Sequence, residues 1–192
     1  MNNLVLLMLD YQNAVAKGMA AEQVEKRGVL KNAKACLEAA RKANIPVIHV
    51  HVGLDAQHSL RTSASKRFKG MEQQGMMRLG TPDTEFCDEV KPISGEPIVT
   101  KGCVNPFIGT PLMELLIGRQ AGELYLAGVV TNLVVESALR HAVDSGFSCN
   151  VIEDCCASGD PAMHEFAITK IFPMYGEVVS SSDFIKRTEQ TQ

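Results

Sequence analysis

The 192-residue chain has no surplus of positive charge: its formal net charge is −3 and its isoelectric point is about 6.0. A basic face for nucleic acid is therefore not expected. Long apolar runs are missing too. The opening segment MNNLVLLMLD reaches Asp10 after a short hydrophobic stretch and has no basic flank. It is too short for a membrane span or an export signal, so no membrane partner is expected and a cytoplasmic location is. Six cysteines are present (Cys36, Cys87, Cys103, Cys149, Cys155 and Cys156), but none stands in C-x-x-C spacing, which removes the common zinc and redox patterns. In a cytoplasmic protein they are expected as reduced thiols. No metal or cofactor is implied. Biased tracts and internal repeats are absent as well. A composition 45% hydrophobic and 21% charged argues against disorder and for one well-filled domain over residues 1–192.

What is present is an alternation of short apolar runs with longer amphipathic stretches. Strands are predicted at 4–9, 45–52, 96–101, 123–130, 148–154 and 176–181. Helices are predicted over about 20–43, 110–120, 132–145 and 161–172, the first from an apolar stripe of Val24, Leu30, Ala33 and Leu37. Continuously apolar strands alternating with helices imply a parallel sheet covered on both faces, a three-layer α/β/α fold of Rossmann-like type. Residues 53–95 break the rhythm. They are polar, contain glycine and show little periodicity, which fits either a lid or a surface excursion with a short helix.

Ligands of open parallel sheets bind beyond the carboxyl ends of the strands. Three features fall there: Asp10 in MLDYQN, Lys101 in VTKGCVNPF, and the turn Val130–Thr131–Asn132 in LAGVVTNLVVESALRHAVDSGF. The last reads as the strand–turn–helix elbow that carries a nucleophile in many enzymes, yet its first helical turn offers only Asn132, Leu133, Val134 and Val135. Asp10 and Lys101 would bring a carboxylate and an ammonium to a place where a helix start presents unpaired N–H groups. Thr131 and Asn132 could cap that helix through their side-chain oxygens. His49 and His51 share one face of a strand; with Asp55 and His58 they make an imaginable metal site, although lining of the core or pocket is the plainer reading. Arg61, Arg67 and Arg78 would either be solvated or reach an anionic substrate. Glu136 and Arg140 have the spacing of a surface pair.

LDYQN, PIVTKGCVNPFIGTPLMELL and YLAGVVTNLVVESALRHAVDSGF with VIEDCCAS, in that order and spacing, resemble the isochorismatase-like hydrolases, a superfamily of cysteine hydrolases that also holds nicotinamidases and N-carbamoylsarcosine amidohydrolases. The resemblance runs almost end to end. It implies a six-stranded parallel sheet, a small-molecule substrate, homo-oligomers of two or more chains, and a cis peptide before Thr131. It also implies a catalytic aspartate at Asp10 with Gln12 beside it, a lysine at Lys101 followed by the aromatic Phe107, and a pocket shared by Val130, Thr131 and Asn132. The superfamily's cysteine falls on Val134, which has no nucleophilic atom. Three readings follow: hydrolysis without a thiol, with Asp10 as an acid whose pKa is raised by burial; a substitute thiol at Cys103, Cys155 or Cys156; or a catalytically inactive pocket that serves binding or interaction.

Overall fold

In a computed structural model, which describes residues 3–55, 57 and 62–190, the apolar runs form one six-stranded parallel sheet. The strands are β1 (Asn3–Leu9), β2 (Val47–Val52), β3 (Ile98–Lys101), β4 (Ala121–Val129), β5 (Ser148–Ala157) and β6 (Glu177–Val179), in the spatial order β3-β2-β1-β4-β5-β6. Every neighbouring pair is parallel. Successive side chains of a strand point to opposite faces, and β1 shows this directly. Leu4, Leu6 and Met8 enter one core, together with Ala33 and Leu37 of α2 (Val29–Lys42) and Phe184 of α7 (Ser181–Glu189). Val5, Leu7 and Leu9 enter the other, together with Leu112 and Leu116 of α4 (Leu112–Gly118) and Ala138 and Leu139 of α5 (Glu136–Asp144). The sheet is thus the middle of three layers, as expected for this isochorismatase-like α/β arrangement.

Several boundaries differ from expectation, each for a local reason. The long first helix is two, α1 (Ala21–Lys26) and α2, because Gly28 between them adopts a left-handed φ of 65°. β5 runs on to Ala157 because its pairing with β4 slips: Leu126 faces Val151, but Gly128 faces Cys156. Cys155 and Cys156 therefore lie inside the strand, not after it. α7 was not expected at all. Ser180 ends β6 early and starts this helix, accepting from the Asp183 N–H while the Asp183 carboxylate accepts from the Ser180 N–H, a capping box. Residues 53–95 contain α3 (Lys66–Gln73), and Phe68, Met71, Met77, Cys87 and Val90 are buried in the same core as α2. These described residues of the segment are packed into the core beside the sheet rather than looped out from it.

The order of the strands reverses between β1 and β4, and in such sheets the crevice for a ligand opens where that happens. Here the ends of the two strands approach unusually closely. A Cβ placed on Gly128 would lie 2.5 Å from the Leu9 Cβ and 2.6 Å from the Leu9 carbonyl oxygen. Backbone cannot yield as a side chain can, so Gly128→Ala is expected to destabilise the fold by about 2 kcal/mol. Urea unfolding would read this as a lower midpoint, and an unchanged midpoint would show that the strand ends part at no cost.

Candidate active site

Asp10 is the first residue beyond β1. Its φ of 54° is left-handed, a conformation that Asp tolerates better than most side chains. Its N–H still donates to the Val50 carbonyl at 2.9 Å, extending the ladder to β2. The chain turns sharply there and directs the carboxyl across the end of the sheet. Lys101 closes β3, with β2 lying between the two. Its long stem crosses that width, and Nζ donates to Asp10 Oδ2 at 2.8 Å and to the Cys103 carbonyl at 3.0 Å. Asp10 is 5% exposed and Lys101 2%. The other carboxyl oxygen, Asp10 Oδ1, is buried without a hydrogen-bond partner among the described residues. Burial raises the Asp10 carboxyl above its ordinary range; the charge and hydrogen bond of Lys101 oppose that shift without cancelling it.

The elbow approaches from the other side. β4 ends at Val129, the Val129–Val130 peptide is cis, and a wide turn, Thr131–Val135, leads into α5. Val135 N–H reaches the Val130 carbonyl five residues back at 3.5 Å, a widening that recurs at functional sites. Val130, Leu133 and Val134 face a cavity that Asp10 and Lys101 also line. Its other walls are Val15, Met19, Val52, Val104 and Val129, with Arg67, Phe68 and Met71 from α3. The cavity measures about 30 Å³ and is open to the surface on one side; a volume of that kind has room for a water molecule.

The structure brings Asp10, Lys101, Val130 and Val134 together and places the remaining expected site residues elsewhere. Gln12 is fully buried and used at both ends: Nε2 donates to the Val52 and Thr84 carbonyls at 2.8 and 3.2 Å, and Oε1 accepts from the Val52 N–H at 2.8 Å. It ties β1, β2 and the 53–95 segment together. Phe107 lies in the core on the α4–α5 face, stacked on His141 at 4.4 Å. Thr131 is buried, its hydroxyl 2.8 Å from His164 Nδ1. Asn132 accepts from the Ser158 hydroxyl at 2.7 Å and lines a separate surface hollow with Met163 and Phe166. Neither residue caps the helix, whose first turn has no side-chain cap.

The histidines have structural partners too, although His49 Nδ1 is buried without one among the described residues. His49 Nε2 lies 2.8 Å from Glu96 Oε2, and His51 Nε2 lies 2.7 Å from Thr100 Oγ1; burial lowers both imidazoles. Burial alone would raise Glu96, but hydrogen bonds from Arg41, the Ile93 N–H and His49 bring it down to about 2. Among the described residues no three His, Cys, Asp or Glu side chains converge on a metal position. His58 and Arg61 lie outside the described residues. Of the thiols, Cys103 Sγ points to the Asn105 carbonyl at 3.2 Å and is not on the cavity wall. Cys155 lies against Cys36, with 3.7 Å between sulfurs. Cys156 is fully buried and pushed up to about 12 by that burial, the reverse of an activated thiolate. Met19, Phe68 and Met71 were not foreseen as site residues. The spacing Ser65-x-x-Phe68-x-x-Met71 held the signal, since Ser65 accepts from the Phe68 N–H to start α3 and the two apolar residues share its inner face.

Comparison with known proteins places this geometry. The chain is 30% identical over 198 residues to ureidoacrylate amidohydrolase RutB of Enterobacter sp. (strain 638), covering 93% of this chain and 86% of that protein. It is 26% identical over 183 residues to maleamate amidohydrolase of Pseudomonas putida, covering 95% and 85%. A cysteine hydrolase from Pseudomonas syringae pv. phaseolicola shares the fold with a TM-score of 0.86, at 21% identity over 99% of this chain and 94% of that one. N-carbamoylsarcosine amidase from Thermoplasma acidophilum does so with a TM-score of 0.75, at 21% identity over 94% and 97%. Residues 5–183 match the Isochorismatase domain, and the chain belongs to that family of small-molecule hydrolases and their relatives.

Proposed function

We propose that the chain hydrolyses a small molecule by direct attack of water, with Asp10 as the proton carrier and no covalent enzyme intermediate. The observation that carries this reading is the Asp10 carboxyl, on a side chain that lines the cavity: one oxygen is held by Lys101, and the other is buried with no hydrogen-bond partner among the described residues. Burial favours its neutral form and so prepares it to give a proton. In the proposed step Asp10 protonates the leaving nitrogen of an amide, or the vinyl carbon of an enol ether. Water adds at the electrophilic carbon, and its surplus proton returns to Asp10. The net reaction is hydrolysis, with every proton accounted for. Lys101 fixes the carboxyl and stabilises negative charge as it develops. Val134 occupies the position where the superfamily resemblance puts the thiol, which supports a route without an acyl-enzyme. The amidohydrolases among the relatives make a C–N bond the first candidate.

The pH dependence has a definite sign. The acid route needs Asp10 protonated, so kcat/KM is expected to be highest below its folded pKa and to fall as pH rises through it. That limb lies above the ~3.9 of a free aspartate. Asp10→Asn should lose about a hundredfold or more in rate together with the limb. An ascending limb instead would make Asp10 a base and overturn the acid role.

The absence of a covalent intermediate can be checked separately. With ureidoacrylate, maleamate and simple vinyl ethers as test substrates, intact-protein mass spectrometry of quenched turnover should show no adduct. Added hydroxylamine should divert none of the product into a hydroxamate. Diversion would mean an acyl-enzyme formed on some other residue. The buried Asp10–Lys101 pair also fits a competing reading, a binding protein in which that pair is structural, and absence of turnover across amides, carbamoyl compounds and vinyl ethers would favour it.

A further inference from the structure

The start of the elbow is held from behind by a chain of polar side chains that the proposed step does not use. Thr131 is fully buried, and its hydroxyl lies 2.8 Å from His164 Nδ1. The other ring nitrogen, Nε2, lies 3.1 Å from Glu153 Oε1. Arg27, just after α1, pairs with the same Glu153 oxygen, and its Nε donates to the Cys156 carbonyl at 3.3 Å. The hydrogen bond from His164 lowers the Glu153 carboxyl and the Arg27 charge adds to that, against the effect of burial. An ionised carboxylate only accepts. In the neutral ring Nε2 therefore carries the proton, and Nδ1 is left to accept from the Thr131 hydroxyl. Two local features of the fold build this chain. Residues 152–155 of β5 lie opposite the single residue Ala127 of β4, and Glu153 sits in that bulge, a device that re-aims side chains. His164 is 3% exposed and lies on α6 (Pro161–Phe166), which Asp160 caps by accepting from the Ala162 N–H at 2.8 Å.

We propose that His164 is a positioning residue for the Asp10 step: held by Glu153, it grips Thr131 and so keeps the elbow valines, Val130 and Val134, closed against the Asp10 carboxyl. It touches no reacting atom. Val130, Leu133 and Val134 are the elbow's share of the cavity wall, and none has a polar side-chain atom to fix its place. Of the two polar residues between Val130 and Leu133, Asn132 turns to a separate hollow, so Thr131 alone can hold this wall by a directional bond. Water admitted between the elbow and Asp10 would stabilise the carboxylate and deplete the neutral form that gives the proton. Lys101 and Arg67 are the other ionisable groups on the cavity, and the variants below leave both in place. The proposal rests on Asp10 being the acid, and it names what keeps that acid dry.

The test breaks the chain at two places in the full-length protein. Thr131→Val keeps the side-chain volume and removes the hydroxyl; His164→Gln puts an amide towards Glu153 and leaves Thr131 without its acceptor. In both, kcat is expected to fall about tenfold with KM little changed, and the descending pH limb to lie about one pH unit lower. Thr131→Ser keeps the donor and His164→Asn keeps an acceptor near the place of Nδ1, so both should retain the wild-type kcat and limb. A second reading needs no turnover. A carboxyl-carbon NMR titration of aspartate-labelled protein, with the Asp10 signal identified by its loss in Asp10→Asn, should show the same downward shift in Thr131→Val and His164→Gln. A chain that serves stability alone would lower the urea midpoint and leave kcat, the limb and the Asp10 titration unmoved, and that result would overturn the proposal. So would equal losses in Thr131→Ser and Thr131→Val. A shifted Asp10 titration alongside full activity in Asp10→Asn would leave the positioning role standing and remove the acid step. Loss of activity in Asp10→Asn with an unshifted titration would do the reverse.

Discussion

Asp10 and Lys101 meet at 2.8 Å with almost no exposure to solvent, and the ends of three adjacent strands are arranged around that contact. Taking both charges out of water is costly, and their attraction repays it only when the remaining donors and acceptors are also served. Lys101 meets that demand with the Cys103 carbonyl; Asp10 leaves Oδ1 without a partner. A structural ion pair of this depth gains from satisfying every atom, so the open oxygen is the part of the arrangement that stability alone does not explain. Removing either partner would strand the other as a buried charge, and the pair therefore also pins the end of β3 to the end of β1 across β2.

That contact depends on features of the backbone that permit no larger residues and little variation in angle. Gly128 lets β4 pass close beside Leu9, which brings the elbow within reach of Asp10. The left-handed turn at Asp10 directs the carboxyl across the sheet end instead of along the strand. Gln12 then ties β1 to β2 and to the 53–95 segment through three hydrogen bonds. The rigidity of the site is thus distributed: its two charged groups sit on strand ends, and the polar residue next in sequence holds the strands in place without touching the cavity.

Asp10 and Lys101 were legible in the sequence because strand ends are marked by the change from apolar runs to turn residues, and the carboxyl ends of a parallel sheet lie on one side; Val134 was placed by the superfamily resemblance. Phe107 was placed in the pocket by the superfamily resemblance, as the aromatic that follows the lysine. The loop after β3 instead carries it into the core beside α4 and α5, where His141 gives it a stacking partner from α5. Thr131 was read as a helix cap from its local position; its hydroxyl is taken by His164, a residue 33 places away that no local pattern could connect to it. Arg67 was visible only as one cation among three in a segment without periodicity. Its place on the cavity wall comes from the burial of Phe68 and Met71 against the sheet, a tertiary effect. α7 was legible in principle, since Ser180 and Asp183 have capping-box spacing, but the apolar run before them drew the reading towards a longer strand.

On the proposed reading, valine at position 134 does more than exclude a thiol nucleophile. A thiolate at that place would put a second negative charge near Asp10 and favour Lys101 as its counter-ion. With valine there, the Asp10–Lys101 pair has no third charge to share, and Val130, Leu133 and Val134 form a continuous hydrocarbon surface beside the carboxyl. Such a surface raises the cost of the charged form of Asp10, whose Oδ1 is buried without a hydrogen-bond partner among the described residues. On the proposed reading, the valine that rules out a thiol nucleophile at this place also adds to the apolar surroundings that favour acid chemistry at Asp10.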